Sequence, residues 1–170
     1  MEELRAFDFV YYVWSETLVG DISGKSFCVR AFSGGGRGRM SGEAETSFAS
    51  FSPHRGTDDA RGVRGGTLPP GLWRVKVLEN YAGRLGKPVA RLTPMSYQVA
   101  DYPTREYAHR PFLIHGRGEQ GSDGCIVIAR PERVPLLDAI GKAGGATVLV
   151  TLSTRPGDLF DRAMERGRTA

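Results

Sequence analysis

Two apolar runs joined by a glycine-rich connection constrain the fold of this chain more than any other feature. The first run, Phe112-Leu-Ile-His115, ends on a histidine, and the second, Cys125-Ile-Val-Ile128, starts on a cysteine. Residues 116–124 between them are mostly glycine and polar residues, which favour turns and loops. A connection of this kind can bring the end of one strand next to the start of the other. The sequence therefore predicts that His115 and Cys125 lie close together.

The abundance of glycine favours a β-rich architecture. There are 23 glycines in 170 residues, a length that corresponds to one domain. Frequent turns indicate short strands rather than a helical bundle. We therefore predict a mainly β (β-rich α+β) fold with one helix after the cysteine. It forms a single domain over residues 1–155, followed by a C-terminal tail over residues 156–170.

Hydrophobic periodicity locates the expected elements. A helix is predicted over residues 131–143, because proline stands in its first turn and a glycine pair follows its end. Its apolar positions at helical spacing are Val134, Leu137 and Ile140. Residues 33–66 hold too many glycines for regular structure, and we expect a long flap that partly covers a site. Strands are predicted at residues 7–14, 25–32, 72–78, 89–93, 110–115, 126–129 and 146–152.

Composition narrows the classes of partner. The formal net charge is +4, but the arginines are scattered and form no dense basic run, so we expect no nucleic-acid partner. No stretch of about 18 apolar residues is present, so no membrane span is expected. The N-terminal Met1-Glu-Glu-Leu-Arg5 is acidic where a signal peptide is basic. We therefore expect synthesis in the cytoplasm without a secretory signal.

The two cysteines, Cys28 and Cys125, do not form a metal-binding or disulfide-rich pattern. A single bridge between them remains an alternative, although it would silence Cys125 as a nucleophile. A metal site built from His109, Cys125 and Asp123 is conceivable, but its spacing fits no common zinc pattern. We therefore expect no metal and no cofactor. Cys28 is interpreted as a small residue within a sheet strand.

The residues around Cys125 suit nucleophilic catalysis. A thiol needs a base to become a thiolate, and His115 supplies an imidazole at the end of the preceding strand. Gly124 leaves room for a substrate carbonyl, and the N–H groups of Gly124 and Cys125 can face a developing oxyanion. Ser122 and Asp123 are turn residues, and Asp123 could also tune His115 electrostatically. His54 is interpreted as a surface residue of the flap.

These residues resemble the L,D-transpeptidase catalytic domain, which carries an upstream His-Gly and then Ser/Thr-His-Gly-Cys. The corresponding residues here are His115-Gly116 and Ser122-Asp-Gly-Cys125, followed by a predicted helix and strand. Asp123 replaces the usual histidine, and fewer residues separate His115 from Cys125 in the sequence than in the common enzymes. Both departures resemble one branch, the type VI secretion effectors related to L,D-transpeptidases.

The resemblance to that branch extends over residues 32–152 as short blocks in the same order. They are Phe32-Ser-Gly34, Gly66-Thr-Leu-Pro-Pro-Gly-Leu-Trp73, Arg91-Leu-Thr-Pro94, Phe112-Leu-Ile-His-Gly116 and Ser122-Asp-Gly-Cys-Ile126. The first block departs most, with phenylalanine in place of tyrosine. The resemblance implies an L,D-transpeptidase-like small barrel or sandwich with the nucleophile at the edge of the sheet.

The resemblance also implies a function and a set of roles. Cys125 would be the nucleophile, His115 the base, Gly116 the orienting carbonyl, and Ser122, Asp123 and Gly124 part of the oxyanion loop. The implied substrate is the tetrapeptide stem of peptidoglycan, from which the terminal D-alanine is cleaved or exchanged. The implied setting is the periplasm of a target bacterium, reached through the type VI secretion apparatus, with a periplasmic immunity protein as partner. The alternative is a non-catalytic peptidoglycan-binding module, for which Asp123 is the motivating feature.

Overall fold

The computed structural model describes residues 7–13, 15–33, 68, 70–95, 112–116, 122 and 124–151. In this part of the chain there are eight strands and one helix. The strands are β1 (Phe9–Tyr12), β2 (Thr17–Ile22), β3 (Lys25–Arg30), β4 (Gly71–Val77), β5 (Ala90–Pro94), β6 (Phe112–His115), β7 (Ile126–Val127) and β8 (Ala146–Thr151). The helix, α1, is Arg130–Lys142. The predicted β-rich fold with one helix after Cys125 is confirmed. Apart from Ser33, the predicted flap over residues 33–66 lies outside the described residues, as does the predicted C-terminal tail.

All eight strands belong to one sheet, in the order β3-β2-β1-β8-β4-β5-β6-β7. Neighbouring strands are antiparallel except for two parallel pairs, β1 with β8 and β6 with β7. The sheet curls until its two outer strands approach each other. Phe32, just after β3, forms an antiparallel bridge with Val127 of β7, with reciprocal N–H···O distances of 3.1 and 2.7 Å. This bridge brings the end of β3 to the strand that follows Cys125.

The core lies between the inner face of the curled sheet and helix α1. Trp73, Phe9 and Ile114 are fully buried there, and α1 adds Leu136, Leu137 and Ile140. Side chains alternate along β3, because Phe27 and Val29 face inward while Cys28 is exposed. Within the described ranges, α1 is neither long nor apolar enough to cross a membrane.

The helix differs from prediction in which of its side chains face the core. The helical spacing grouped Val134 with Leu137 and Ile140 on one apolar face, but Val134 is 39% exposed. The buried side of α1 is rotated so that Arg133, rather than Val134, faces inward along with Leu136, Leu137 and Ile140. The prediction was wrong because an apolar-only pattern cannot assign a charged side chain to the buried face.

Strand β2 was not predicted from the sequence. Gly20 and Asp21 interrupt its apolar alternation, so the period-two signal is weak. Gly20 is required by packing, because a Cβ there would lie 2.2 Å from the carbonyl oxygen of Asp8 on β1. Ser23 and Gly24 form the turn that joins β2 to β3. Both of its residues have positive φ, 49° and 76°, as a two-residue hairpin turn with matching twist requires.

Candidate active site

His115 is the last residue of β6 and is buried, with 4% of its surface exposed. Strand β6 pairs in parallel with β7, so that Ile114 lies beside Ile126 and His115 beside Val127. Because Ile114 belongs to the core, the alternate residues Leu113 and His115 face the other side of the sheet. The carbonyl of His115 accepts the N–H of Ile128 at 3.0 Å, which fixes the end of the strand.

Cys125 lies directly before β7, against the strand that carries the histidine. Extending the parallel register by one residue puts Cys125 level with Leu113, two residues before His115. The backbone N–H of Leu113 donates to the Cys125 sulfur at 3.4 Å. This contact holds the sulfur against the backbone of β6. The thiol is half-buried, so the structure brings Cys125 to the β6 strand while leaving part of the residue accessible.

Gly124 is held in a conformation that only glycine adopts easily. Its φ is +104°, in the region that L side chains rarely occupy. A Cβ at this position would also lie 2.3 Å from the Phe112 ring. Phe112 is held in turn by an edge-to-face contact with Trp73, at a centroid distance of 5.5 Å. The glycine before the cysteine therefore allows an aromatic side chain to pack directly against the backbone of the turn.

Ser122 closes the turn that presents the cysteine. It is 8% exposed, and its hydroxyl donates to the carbonyl oxygen of Cys125 at 2.6 Å. This is more specific than the turn role predicted from the sequence, because the bond fixes the peptide that follows the nucleophile. Asp123, the acidic residue in the same loop, lies outside the described residues, as do His54 and His109.

Gly116 packs against a buried arginine that the sequence did not point to. A Cβ on Gly116 would lie 1.8 Å from an Nη atom of Arg133, so the guanidinium occupies the space beside the His115-Gly116 turn. Arg133 is 2% exposed and donates to the carbonyls of Pro88 at 3.0 Å, Ile128 at 2.5 Å and Lys87 at 3.4 Å.

Burial lowers the pKa of the Arg133 guanidinium, with a smaller contribution from the nearby charge of Arg130. An arginine nonetheless keeps its proton at neutral pH, so a positive charge lies beneath the His115-Gly116 turn. No sequence signal marks this role, because it depends on carbonyls from two separate loops that meet only in the folded chain.

Ser33 forms a second connection that the motifs alone did not explain. Its hydroxyl donates to the carbonyl of Gly124 at 3.0 Å and accepts the backbone N–H of Leu68 at 2.8 Å. Ser33 therefore links the backbone of Leu68 to the turn that precedes Cys125. The Phe32-Ser-Gly34 block named this serine but gave it no partner.

Neither a metal site nor a disulfide bond is found among the described residues. No group of three or more His, Cys, Asp or Glu side chains is arranged there to hold a metal ion. Cys28 lies exposed on β3 and forms no disulfide with Cys125, so the alternative of a bridge between them is wrong. The candidate site thus comprises His115, Gly116, Ser122, Gly124 and Cys125. Ser33 bonds to its Gly124 carbonyl, and the Arg133 guanidinium lies beside Gly116.

Comparison with known proteins gives a likeness of overall fold to a solved structure. No protein-family model matches the chain. No curated protein matches it either. Among solved structures, the chain is similar to an L,D-transpeptidase from Xylanimonas cellulosilytica DSM 15894, with a TM-score of 0.44 and 16% sequence identity. The likeness covers 87% of this chain and 62% of that one, so the chain spans less than two thirds of that structure.

Proposed function

We propose that the protein is a cysteine-dependent acyltransferase that acts on the peptide stems of peptidoglycan. The observation that carries the proposal is the parallel pairing of β6 with β7. It sets the Cys125 sulfur against the backbone of Leu113, two residues before His115. The substrate class comes from the resemblance of the ordered sequence blocks to L,D-transpeptidases. The proposed reaction removes or exchanges the terminal D-alanine of a tetrapeptide stem.

In the first half-reaction, His115 takes the thiol proton of Cys125 and the thiolate attacks the carbonyl carbon before D-alanine. A C–S bond forms, and the carbonyl π electrons move to the oxygen. The N–H groups of Gly124 and Cys125 are the proposed donors to that oxyanion, each worth about 3 kcal/mol in the transition state. The intermediate collapses as the C–N bond breaks, and the amine of D-alanine leaves with the proton from His115.

In the second half-reaction, the thioester at Cys125 passes to an acceptor. Water gives an L,D-carboxypeptidase, whereas a D-amino acid or the amine of a second stem gives exchange or cross-linking. His115 removes a proton from the acceptor as it attacks, and the C–S bond breaks to regenerate the thiolate. Both outcomes share one acyl-enzyme, so the acceptor that reaches the thioester decides between them.

Mass spectrometry of disaccharide-tetrapeptide incubated with the protein tests the proposal. We expect loss of D-alanine with water as acceptor, and replacement of D-alanine when another D-amino acid is added. Cys125→Ala should abolish both reactions, whereas Cys28→Ala, which removes the exposed thiol on β3, should retain them. Unchanged substrate, or equal turnover by Cys125→Ala, would contradict the proposal. Binding to purified sacculi without any change in the muropeptides would favour a non-catalytic wall-binding module.

We further propose that the protein is an antibacterial effector delivered to the periplasm of a target cell by a type VI secretion apparatus. The support is the resemblance of the sequence blocks to that branch, together with a substrate that lies outside the cytoplasm. Expression directed to the periplasm should lyse or deform cells, and expression in the cytoplasm should not. Co-expression of a periplasmic immunity protein should protect them. Toxicity that survives Cys125→Ala would contradict this role.

A further inference from the structure

We infer that Ser33 is a positioning residue that orients the Cys125 N–H as an oxyanion donor. The inference rests on the proposed function, because it assigns the residue that sets the geometry of the same acyl-transfer site. Ser33 does not have to contact the substrate or the thiol in this role. It acts through the peptide bond between Gly124 and Cys125.

The hydrogen bonds of Ser33 have a defined direction. A hydroxyl has one proton to donate and lone pairs to accept with. The Leu68 N–H donates to the Ser33 oxygen at 2.8 Å, and the serine proton then points at the carbonyl of Gly124, 3.0 Å away. Leu68 and Gly124 are buried and Ser33 between them is half-buried, so this short chain of bonds is partly shielded from competing water.

The Gly124 carbonyl and the Cys125 N–H belong to one peptide plane. Among the described residues the only cis peptide bond is Lys87-Pro88, so the bond between Gly124 and Cys125 is trans. In a trans peptide the C=O and N–H groups point in opposite directions. Holding the carbonyl towards Ser33 therefore turns the Cys125 N–H to the opposite side of the turn. Donation to the carbonyl also polarises the peptide and strengthens its N–H as a donor.

The hydrogen bond from Ser33 matters because the residue before Cys125 is a glycine. A glycine with φ of +104° has no side chain to oppose rotation of the following peptide plane. The peptide on the other side of Cys125 is held by a second serine, because Ser122 donates to the Cys125 carbonyl at 2.6 Å. Two serine hydroxyls, from distant parts of the chain, thus fix the peptides on both sides of the proposed nucleophile.

The test separates attack on a carbonyl from reactivity of the thiol itself. In a Cys28→Ala background, p-nitrophenyl acetate acylates Cys125: a C–S bond forms, the ester C–O bond breaks and p-nitrophenolate leaves. That reaction passes through an oxyanion, whereas alkylation by iodoacetamide displaces iodide from a methylene carbon and needs no oxyanion donor. We expect Ser33→Ala to slow acylation about 10- to 100-fold, less than the roughly 100- to 1000-fold loss for a donor that is removed outright, because the N–H is misoriented and not absent. Its alkylation rate should stay within about twofold of the parent rate.

Two further variants complete the experiment. Ser33→Thr keeps the hydroxyl and should recover most of the acylation rate. Ser26→Ala is the matched control, because it removes a serine hydroxyl that bonds to Asp21 at an exposed part of the hairpin, and it should change neither rate. A thermal melt of each variant reports whether the fold is retained.

Equal acylation rates in Ser33→Ala and its parent would overturn the inference. A parallel fall in acylation and alkylation would also overturn it, because it would mean that Ser33 only supports the placement of the thiol. Neither probe depends on peptidoglycan. A failure of the proposed function would instead appear as unchanged muropeptides, while the ratio of the two probe rates still decides the role of Ser33.

Discussion

At the scale of single residues, Gly124 carries two constraints that can be separated by experiment. Its positive φ costs any other residue about 1 kcal/mol or more, and a Cβ would also meet the Phe112 ring at 2.3 Å. Gly24 has a positive φ as well, but a Cβ there would meet nothing within 4 Å. Comparing substitutions at Gly124 and Gly24 therefore separates the cost of a steric clash from the cost of a positive φ.

Gly124→Ala should lower the free energy of unfolding by about 3 kcal/mol or more, because Phe112 must leave its edge contact with Trp73. Gly24→Ala should cost only about 1 kcal/mol. Urea unfolding of both variants and the parent provides the measurement. A loss at Gly124 no larger than that at Gly24 would show that Phe112 moves aside at little cost.

Tyr11 gives a prediction that depends on pH. It is fully buried in the core, and its hydroxyl has no hydrogen-bond partner in the described part of the chain. Burial raises the pKa of Tyr11 above its usual value of 10.0, and the negative charge of Glu16 adds to the effect. The folded protein therefore keeps the phenol protonated at a pH where the unfolded chain has already lost the proton.

Tyr11→Phe should be at least as stable as the parent at pH 7, by up to about 1 kcal/mol, since it removes an unsatisfied buried hydroxyl. Above pH 10 the parent should lose stability relative to the variant, by up to about 1.4 kcal/mol per pH unit. The parent loses stability because, above pH 10, deprotonation of Tyr11 stabilises the unfolded state but not the folded state. Urea midpoints at pH 7, 10 and 11 would show this, and a constant difference between the two proteins would refute it.

Residue-level prediction from sequence succeeded where the signal was local. His115 and Cys125 were placed at strand ends because apolar runs stop and glycines begin beside them, and the structure puts both there. Their catalytic roles stay a prediction. Ser33 and Arg133 were not assigned a role, because their partners lie 91 residues away at Gly124 and 45 residues away at Pro88.

At the scale of elements, α1 is joined to the site by one buried side chain. Arg133 connects the helix to the carbonyls of Pro88 and Ile128, and its guanidinium lies against Gly116. Removing it would take this donor from the buried Ile128 carbonyl and from the partly buried Pro88 carbonyl, and an unsatisfied buried carbonyl costs about 1–3 kcal/mol. Arg130, one turn earlier on the same helix, is exposed and makes one bond to Lys87 at 3.2 Å.

Arg133→Met should therefore lower the free energy of unfolding by about 3 kcal/mol, whereas Arg130→Met should change it by less than about 0.5 kcal/mol. Arg133→Lys keeps the charge but loses the forked geometry, and should recover only part of the loss. Chemical unfolding of the variants measures all these values. Equal effects at the two arginines would mean that the buried bonds add nothing to stability.

Element prediction failed where tertiary contacts, rather than local pattern, decide the outcome. The helix limits were close to those predicted, because Pro131 and the Gly144-Gly145 pair are local signals. The buried face was misassigned at Val134, because the sequence does not show the carbonyls that allow Arg133 to be buried in its place. Strand β2 was missed because Gly20 is selected by its close approach to β1 and not by strand propensity.

At the scale of the whole molecule, the sheet brings its two ends together at the site. The Phe32–Val127 bridge places the residue before Ser33 beside the strand that follows Cys125. The sequence does not predict this bridge, because the two segments are short and lie far apart along the chain. The curled sheet therefore explains why Ser33 can reach the Gly124 carbonyl.

Amide hydrogen exchange tests whether this closure belongs to the cooperative fold. The N–H groups of Phe32 and Val127 bond to each other's carbonyls, so both should exchange only on global unfolding. Their protection should then lie within about tenfold of that of Val148, which lies in a strand paired on both sides, by β1 and β4. Protection of Val148 alone, with rapid exchange at Phe32 and Val127, would show that the curled sheet opens at this bridge while the remaining strands stay folded. In that case Ser33→Ala should accelerate exchange at both amides, since Ser33 is the next residue to hold β3 against the cysteine turn.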